Sequence, residues 1–323
     1  MKAIVRAAYG LDALELREIE TPTPADNEVL VRVRAASVNP ADWYTAAGPL
    51  MVRAIGREGM RKPKNIRVGT DFAGTVEAVG AGVTHFRPGD DVFGARTGAL
   101  AEYVVVPADR AIAVKPADVT FEEAGGVAIA GVTALQGLRD HAQVEPGQKV
   151  LVNGASGGVG TFTVQIAKAF GADVTAVCST RNVEMARSLG ADRVIDYTRE
   201  DFRRADQQYD ALLDIASTGS WSRTRRVLKA NGTLVLVGAP KSRFLGPLPQ
   251  IARMIIASRL RGSQRLRFYV AKLTNADMNV MRELLEAGNV RTVVDRTYPL
   301  SEAPAAFAYL GEGHAKGKVV VTV

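Results

Sequence analysis

The stretch that most restricts the fold is NGASGGVG, Asn153 to Gly160, which directly follows the apolar run KVLV. Three of its last four residues are glycine. Each glycine costs backbone entropy on folding, so the segment needs something only glycine allows: positive φ in a tight turn, or close approach of a backbone or a ligand. Beyond the loop, Val159, Phe162, Ile166 and Phe170 recur on one helical face. The loop therefore joins a buried strand to a helix starting near Gly157. Backbone amides at such a junction face an anion. A second buried run, DVTAVC, follows the helix, and strand, glycine-rich loop, helix, strand is the setting in which a glycine fingerprint signifies a dinucleotide rather than a packing turn alone.

The rest of the middle of the chain agrees. KVLVNG, DVTAVCS, DRVIDY, YDALLDIA and GTLVLVGA are short, β-branched-rich runs of the kind buried on both sheet faces, and helical stretches separate most of them. RNVEMARSLG ends at Gly190, a natural helix C-cap. This rhythm predicts a parallel sheet with right-handed crossovers. A helix near Leu248–Arg259 and the strand RLRFYVAK continue it. Before Phe121 the pattern differs. EVLVRVRAASV alternates at period two, while TDFAGTVEAVGAGV, RPGDDVFG and AEYVVVPADRAIAVKP read as short strands punctuated by turns, as in a small barrel or sandwich. The tail is mixed: a helix around Asn275–Ala287, the strand VRTVVDRTYPL, a helix near Pro304 and the strand KVVVTV. A chain of 323 residues exceeds one ordinary core, so two domains are expected.

The ligand class follows from the end of the second buried strand. In dinucleotide folds an acidic residue there bonds the ribose 2′-hydroxyl of NADH and repels a 2′-phosphate. Here DVTAVC runs into Ser179, Thr180 and Arg181, with no carboxylate. Two hydroxyls and a guanidinium suit a phosphate, so NADPH is expected. The same hydroxyls can cap the following helix, and the two roles are compatible.

Composition narrows the remainder. The one cysteine, Cys178, rules out an intrachain disulfide, and His85, His141 and His314 show no ligand spacing for a cysteine-based zinc site. A reducing, cytoplasmic location fits. The net charge of +7 reads as an ordinary solvated surface, including the arginines at 253, 259, 261, 265 and 267, with no specific nucleic-acid partner. The run AGGVAIAGVTAL is too short to span a bilayer, and MKAIVRAAYG does not read as a signal peptide.

Seven segments, VNPADWY, GTDFAGTVEAVG, AEYVVVP, GVTAL, NGASGGVG, LGADRVIDY and GKVVVTV, occur in an order and spacing that resembles the medium-chain dehydrogenase/reductase superfamily over essentially the whole chain. The branch it most resembles is the zinc-free, ζ-crystallin-like quinone oxidoreductases. The resemblance implies an α/β fold in which a Rossmann domain, residues 122–272, is inserted into a GroES-like β-rich catalytic domain built from residues 1–121 and 273–323. It also implies a cofactor cleft between the domains and a homodimer. Zinc-dependent relatives carry a cysteine where this chain has VNPAD and a His-Glu pair where it has Thr70-Asp71, so no metal is expected. By position, Ser156, Gly157, Gly158 and Val159 are implied to line the pyrophosphate and Tyr197 the adenosine phosphate. Thr133, Gly238 and Phe268 are implied near the nicotinamide, with Lys318 at the border of the cleft.

On the catalytic side the polar candidates are Asn39, Asp42 and Tyr44. Asn39 before Pro40 is also a good helix N-cap, and Tyr44 beside Trp43 could equally be a packed aromatic. The long segment of residues 48–69 suits a lid. The expected activity is zinc-independent, NADPH-dependent hydride transfer to a quinone or an α,β-unsaturated carbonyl compound. The alternatives are an enoyl-thioester reductase or a non-enzymatic NADPH-binding protein.

Overall fold

The computed structural model describes residues 1–49, 53, 59–204, 206–216, 221–237 and 263–323. The expected helix near Leu248–Arg259, Gly238, the arginines at 253, 259 and 261, and residues 50–52 and 54–58 of the expected lid lie outside them. The chain divides into two compact units: Met1–Val132 with Lys272–Val323, and Thr133–Ala271 between them in sequence.

The first unit opens with a two-stranded antiparallel ribbon of β1 (Lys2–Arg6) and β2 (Leu14–Glu18). Its main sheet is organised by the eleven-residue β3 (Glu28–Val38). Arg32 and Arg34 point to solvent while Val31, Val33 and everything from Ala35 to Val38 are buried. The period-two pattern thus describes the middle of the strand and gives way to burial on both faces at its end. Next come helix α1 (Pro40–Ala47), β4 (Asp71–Val79), β5 (Asp91–Ala95), β6 (Tyr103–Pro107), β7 (Ile112–Val114), α2 (Phe121–Ala124) and α3 (Ala128–Gln136). The last turns of α3 lie beyond the division between the units.

The second unit holds β8 (Lys149–Asn153), α4 (Gly158–Ala169), β9 (Asp173–Cys178), α5 (Val183–Ser188), β10 (Arg193–Asp196), β11 (Tyr209–Asp214), α6 (Trp221–Thr224), β12 (Leu228–Leu236) and β13 (Arg265–Phe268). All six strands are parallel, in the order β10-β9-β8-β11-β12-β13. This is the doubly wound order whose winding reverses between β8 and β11, and ligands of such sheets bind at the carboxyl ends of the strands around that switch. The chain then returns to the first unit through α7 (Asn275–Glu286), β14 (Val294–Pro299), α8 (Ala303–Glu312) and β15 (Lys318–Thr322). There the sheet order is β14-β15-β3-β4-β5-β7, with β6 also paired to β3.

The boundary expected after residue 121 falls instead after Val132. The reason is bonding. Asp71 Oδ1 accepts the Ile129 N–H at 3.0 Å, and Thr292 Oγ1 donates to the Glu123 carbonyl at 2.8 Å. Both tie residues 121–132 to the first unit's own sheet and tail. The strand expected over VRTVVDRTYPL is shorter than the motif, starting only at Val294.

Candidate functional site

In the second unit the loop between β8 and α4 uses its glycines for three different purposes. Gly154 has φ +90°, a conformation that side chains rarely adopt. Gly160 is packed so tightly that a Cβ would stand 2.1 Å from the Gly154 carbonyl oxygen. Gly157 needs neither, because its φ is −84° and the nearest atom to a Cβ would be 3.9 Å away. Its missing side chain leaves the N-cap of α4 uncrowded, beside the amides of the first turn that have no partner within the helix. One glycine for the turn, one for approach by a pyrophosphate and one for helix–strand packing is the division of roles in a dinucleotide loop.

A cavity of about 400 Å³ opens next to this loop, lined among others by Asn153, Gly154, Ser156, Val177, Cys178 and Tyr197. Ser156 and Tyr197 therefore share one cavity, and Tyr197 is 61% exposed. Gly157, Gly158 and Val159 follow at the start of α4. The thiol of Cys178 is buried, and burial with the nearby Asp196 charge pushes its pKa up to about 11, so it stays protonated. Sequence reasoning missed the pair beneath the loop. Asn153 Nδ2 donates to Asp214 Oδ1 at 2.7 Å, both side chains buried, locking the ends of β8 and β11 at the switch point.

Ser179, Thr180 and Arg181 lie just past β9 as expected, but they are not without a carboxylate. Asp196, the last residue of β10, lies opposite Cys178, and its Oδ2 accepts the Thr180 hydroxyl at 2.6 Å. Ser179 Oγ accepts from Asn182 Nδ2 at 3.2 Å. Thr133 is half-buried on α3, and its carbonyl accepts a hydrogen bond from the Tyr269 hydroxyl. Tyr269 reaches it across Gly137, where a Cβ would meet the Tyr269 oxygen at 2.8 Å. A π-helical turn, Gly137–Ala142, begins there. Phe268, on β13, is 42% exposed.

In the first unit the ends of β3, β4 and β15 converge on a buried polar network. Asn39 caps α1 in extended conformation, with Pro40 as its first residue. The Asn39 N–H and Nδ2 donate to Asp42 Oδ2 at 3.0 and 3.1 Å, and Nδ2 also reaches Asp71 Oδ2 at 3.1 Å. Thr70 Oγ1 donates to Asp42 Oδ1 at 2.6 Å, and Ser37 Oγ to Asp71 Oδ2 at 3.0 Å. The cation is Lys318, whose Nζ lies 2.5 Å from Asn39 Oδ1 and 3.2 Å from Asp71 Oδ2. Lys318, implied at the border of the cleft, is buried beside these carboxylates, which require a counter-charge. Burial raises Asp42 to a pKa of about 6, with the Asp71 charge adding to it and the bonds from Thr70 and Asn39 opposing.

Tyr44 sits two residues after Asp42 on α1 and stays outside the network. Its hydroxyl oxygen is buried, has no hydrogen-bond partner among the described residues, and its pKa is raised by burial. Its ring packs edge-on against Trp43, the centroids 5.4 Å apart.

Zinc does not suit this network. It offers amide, hydroxyl and carboxylate oxygens, no imidazole or thiolate, and an ammonium already bonded to Asp71 and Asn39. Among the described residues no three of His, Cys, Asp and Glu are grouped to hold a metal ion, and no helix is long and apolar enough to cross a membrane.

Comparison with known proteins places these features. Residues 25–117 match the family model described as the alcohol dehydrogenase GroES-like domain, and residues 189–321 the model described as zinc-binding dehydrogenase. The chain is 33% identical to a chloroplastic quinone-oxidoreductase of Triphysaria versicolor, over 99% of this chain and 98% of that one. It is 33% identical to a chloroplastic NADPH-dependent alkenal/one oxidoreductase of Arabidopsis thaliana, over 99% of this chain and 79% of that one. The solved structure of Escherichia coli quinone oxidoreductase complexed with NADPH superposes with a TM-score of 0.82 at 25% identity, covering 100% of both chains. The fold is accordingly a GroES-like unit interrupted by a Rossmann-like nucleotide-binding unit.

Proposed function

The chain belongs to the quinone oxidoreductase branch of the medium-chain dehydrogenase/reductase superfamily, and from that premise we propose that it is an NADPH-dependent reductase of quinones or α,β-unsaturated carbonyl compounds, working without zinc. The observation that carries the reading is Gly157: an uncrowded glycine at the N-cap of a twelve-residue helix, beside a cavity, at the switch point of a doubly wound sheet. That is a cradle for a pyrophosphate. Ser179 and Arg181 supply donors toward a 2′-phosphate, which favours NADPH over NADH.

Bound NADPH supplies the hydride. The rest of the chemistry falls to the chain. A quinone or enone is its own electron sink, because the oxyanion formed is delocalised, so the protein needs only to orient the acceptor and offer a hydrogen-bond donor. Tyr44 is that donor, with a hydroxyl that has no hydrogen-bond partner among the described residues. The Asn39–Asp42–Asp71–Lys318 network holds the first turn of α1 rigid and so fixes where Tyr44 stands. A simple ketone lacks the delocalisation and would need a Lewis acid that this donor set does not suit.

The enzyme acts as a homodimer in this reading, with β13, the last strand of that sheet among the described residues, as the pairing edge. Its buried, protonated Cys178 suits a reducing compartment, cytoplasmic here, whereas both plant relatives are chloroplastic.

The test is a panel of quinones, enones, alkenals, enoyl thioesters and simple alcohols with C4-deuterated NADPH. An enone product should carry deuterium at the β-carbon, and a chelator should leave the rate unchanged. Chelator-sensitive alcohol oxidation, or deuterium on a carbinol carbon, overturns the reading.

A further inference from the structure

β9 ends at Cys178 without a carboxylate, the feature that favours NADPH. The fold brings one in from the next strand. β10 runs parallel to β9 with Asp196 in register with Cys178, and the Tyr197 N–H donates to the Cys178 carbonyl at 3.0 Å. The last side chain of β10 therefore stands at the same sheet end as Thr180. Asp196 Oδ2 accepts the Thr180 hydroxyl at 2.6 Å, and Oδ1 accepts the Thr198 N–H at 3.0 Å and the Thr198 hydroxyl at 2.8 Å. Arg199 Nε lies 3.5 Å from Oδ2.

On the premise that this unit binds a nicotinamide dinucleotide, we propose that Asp196 is the residue that limits how strongly the chain prefers NADPH to NADH. Two effects act together. A hydroxyl has one proton to donate, and Thr180 gives it to Asp196, so it presents only acceptor lone pairs to a ligand. The fixed negative charge of Asp196 also opposes the 2′-phosphate, while leaving the 2′-hydroxyl of NADH unaffected or offering it an acceptor. The bonds from Thr180 and Thr198 hold the carboxyl below its usual pKa, so the charge persists throughout the physiological range. The chain thus combines an attractive guanidinium at Arg181 with a repulsive carboxylate contributed by a different strand, and its selectivity is the difference between the two.

The experiment titrates NADPH and NADH separately, by nucleotide fluorescence, into the wild-type protein and into Asp196→Asn. Asparagine keeps the shape and one acceptor oxygen while removing the charge. Kd for NADPH should fall about tenfold, with Kd for NADH changing less than about twofold. Asp196→Ser, neutral and smaller, should shift the ratio in the same direction and provides the readout if the asparagine variant does not fold. Parallel changes for both nucleotides, an unchanged ratio or weakened NADPH binding would overturn the role of Asp196 while leaving the cofactor reading intact. A wild-type protein that binds neither nucleotide would overturn the cofactor reading and this proposal with it.

Discussion

Lys318 Nζ lies 3.2 Å from Asp71 Oδ2, and the two side chains are 3% and 0% exposed. The residues are 247 positions apart, one opening the last strand of the chain and the other opening β4. The pair fastens the returning tail to the sheet begun by the first part of the chain, at the point where Asn39 starts α1. Asp71 is further held by Ser37 Oγ and the Ile129 N–H, so its charge is bonded on several sides.

Breaking this pair from one side should be worse than removing both charges. Lys318→Met leaves a buried carboxylate uncompensated and should cost about 3–5 kcal/mol in urea unfolding. The double variant Lys318→Met/Asp71→Asn should recover a substantial part of that loss. Additive losses in the double-mutant cycle would show that the two side chains do not act as a pair.

Tyr44→Phe separates function from stability. The hydroxyl it removes is buried and makes no bond among the described residues, so unfolding stability should stay within about 0.5 kcal/mol of wild type or rise. If the hydroxyl serves the acceptor, kcat should fall roughly 10–100-fold with nucleotide binding unchanged. Full activity in the variant would remove Tyr44 from the mechanism.

Two alanine substitutions in one loop should fail in opposite ways. Gly157→Ala places its methyl no nearer than 3.9 Å to its neighbours, so the variant should unfold like wild type but bind NADPH at least about tenfold more weakly. Gly160→Ala drives a methyl against the Gly154 carbonyl and should destabilise the fold by roughly 2–4 kcal/mol. Normal binding by a well-folded Gly157→Ala protein would contradict the pyrophosphate cradle.

Asp42 makes stability depend on pH in a definite direction. Its folded pKa of about 6 lies above the ordinary 3.8, so the folded state holds the proton more tightly than the unfolded chain. The contribution is complete below about pH 4 and is lost as pH rises through about 6. The stability of wild type relative to Asp42→Asn should therefore fall by about 2–3 kcal/mol between pH 4 and pH 7, measured by denaturant unfolding across that range. A flat or rising difference would show that burial does not control this carboxyl.

Most of the architecture was legible in the sequence because it depends on short-range pattern. Runs such as KVLV and TLVLV mark strands buried on both faces, and the apolar spacing from Val159 to Phe170 marks the helix after the loop. Asn39, Asp42 and Tyr44 could be singled out because they share one helix start, where capping rules act over three or four residues. The boundary after residue 121 was less legible. Composition changes there, but the bonds that assign residues 121–132 run to Asp71 and Thr292, far away in the chain.

By itself the sequence determined what each short segment can do. Glycines at 154, 157 and 160 allow a phosphate-binding turn, alternation builds the sheets, and Pro40 after Asn39 starts a helix, because φ preferences and side-chain periodicity are local properties. The tertiary structure alone decided which charges meet. It paired Lys318 with Asp71, joined Asn153 to Asp214, and set Asp196 against Thr180. The physical reason is that strand order, not sequence distance, selects neighbours in a sheet, and burial then requires every charged or polar group to find its partner among them.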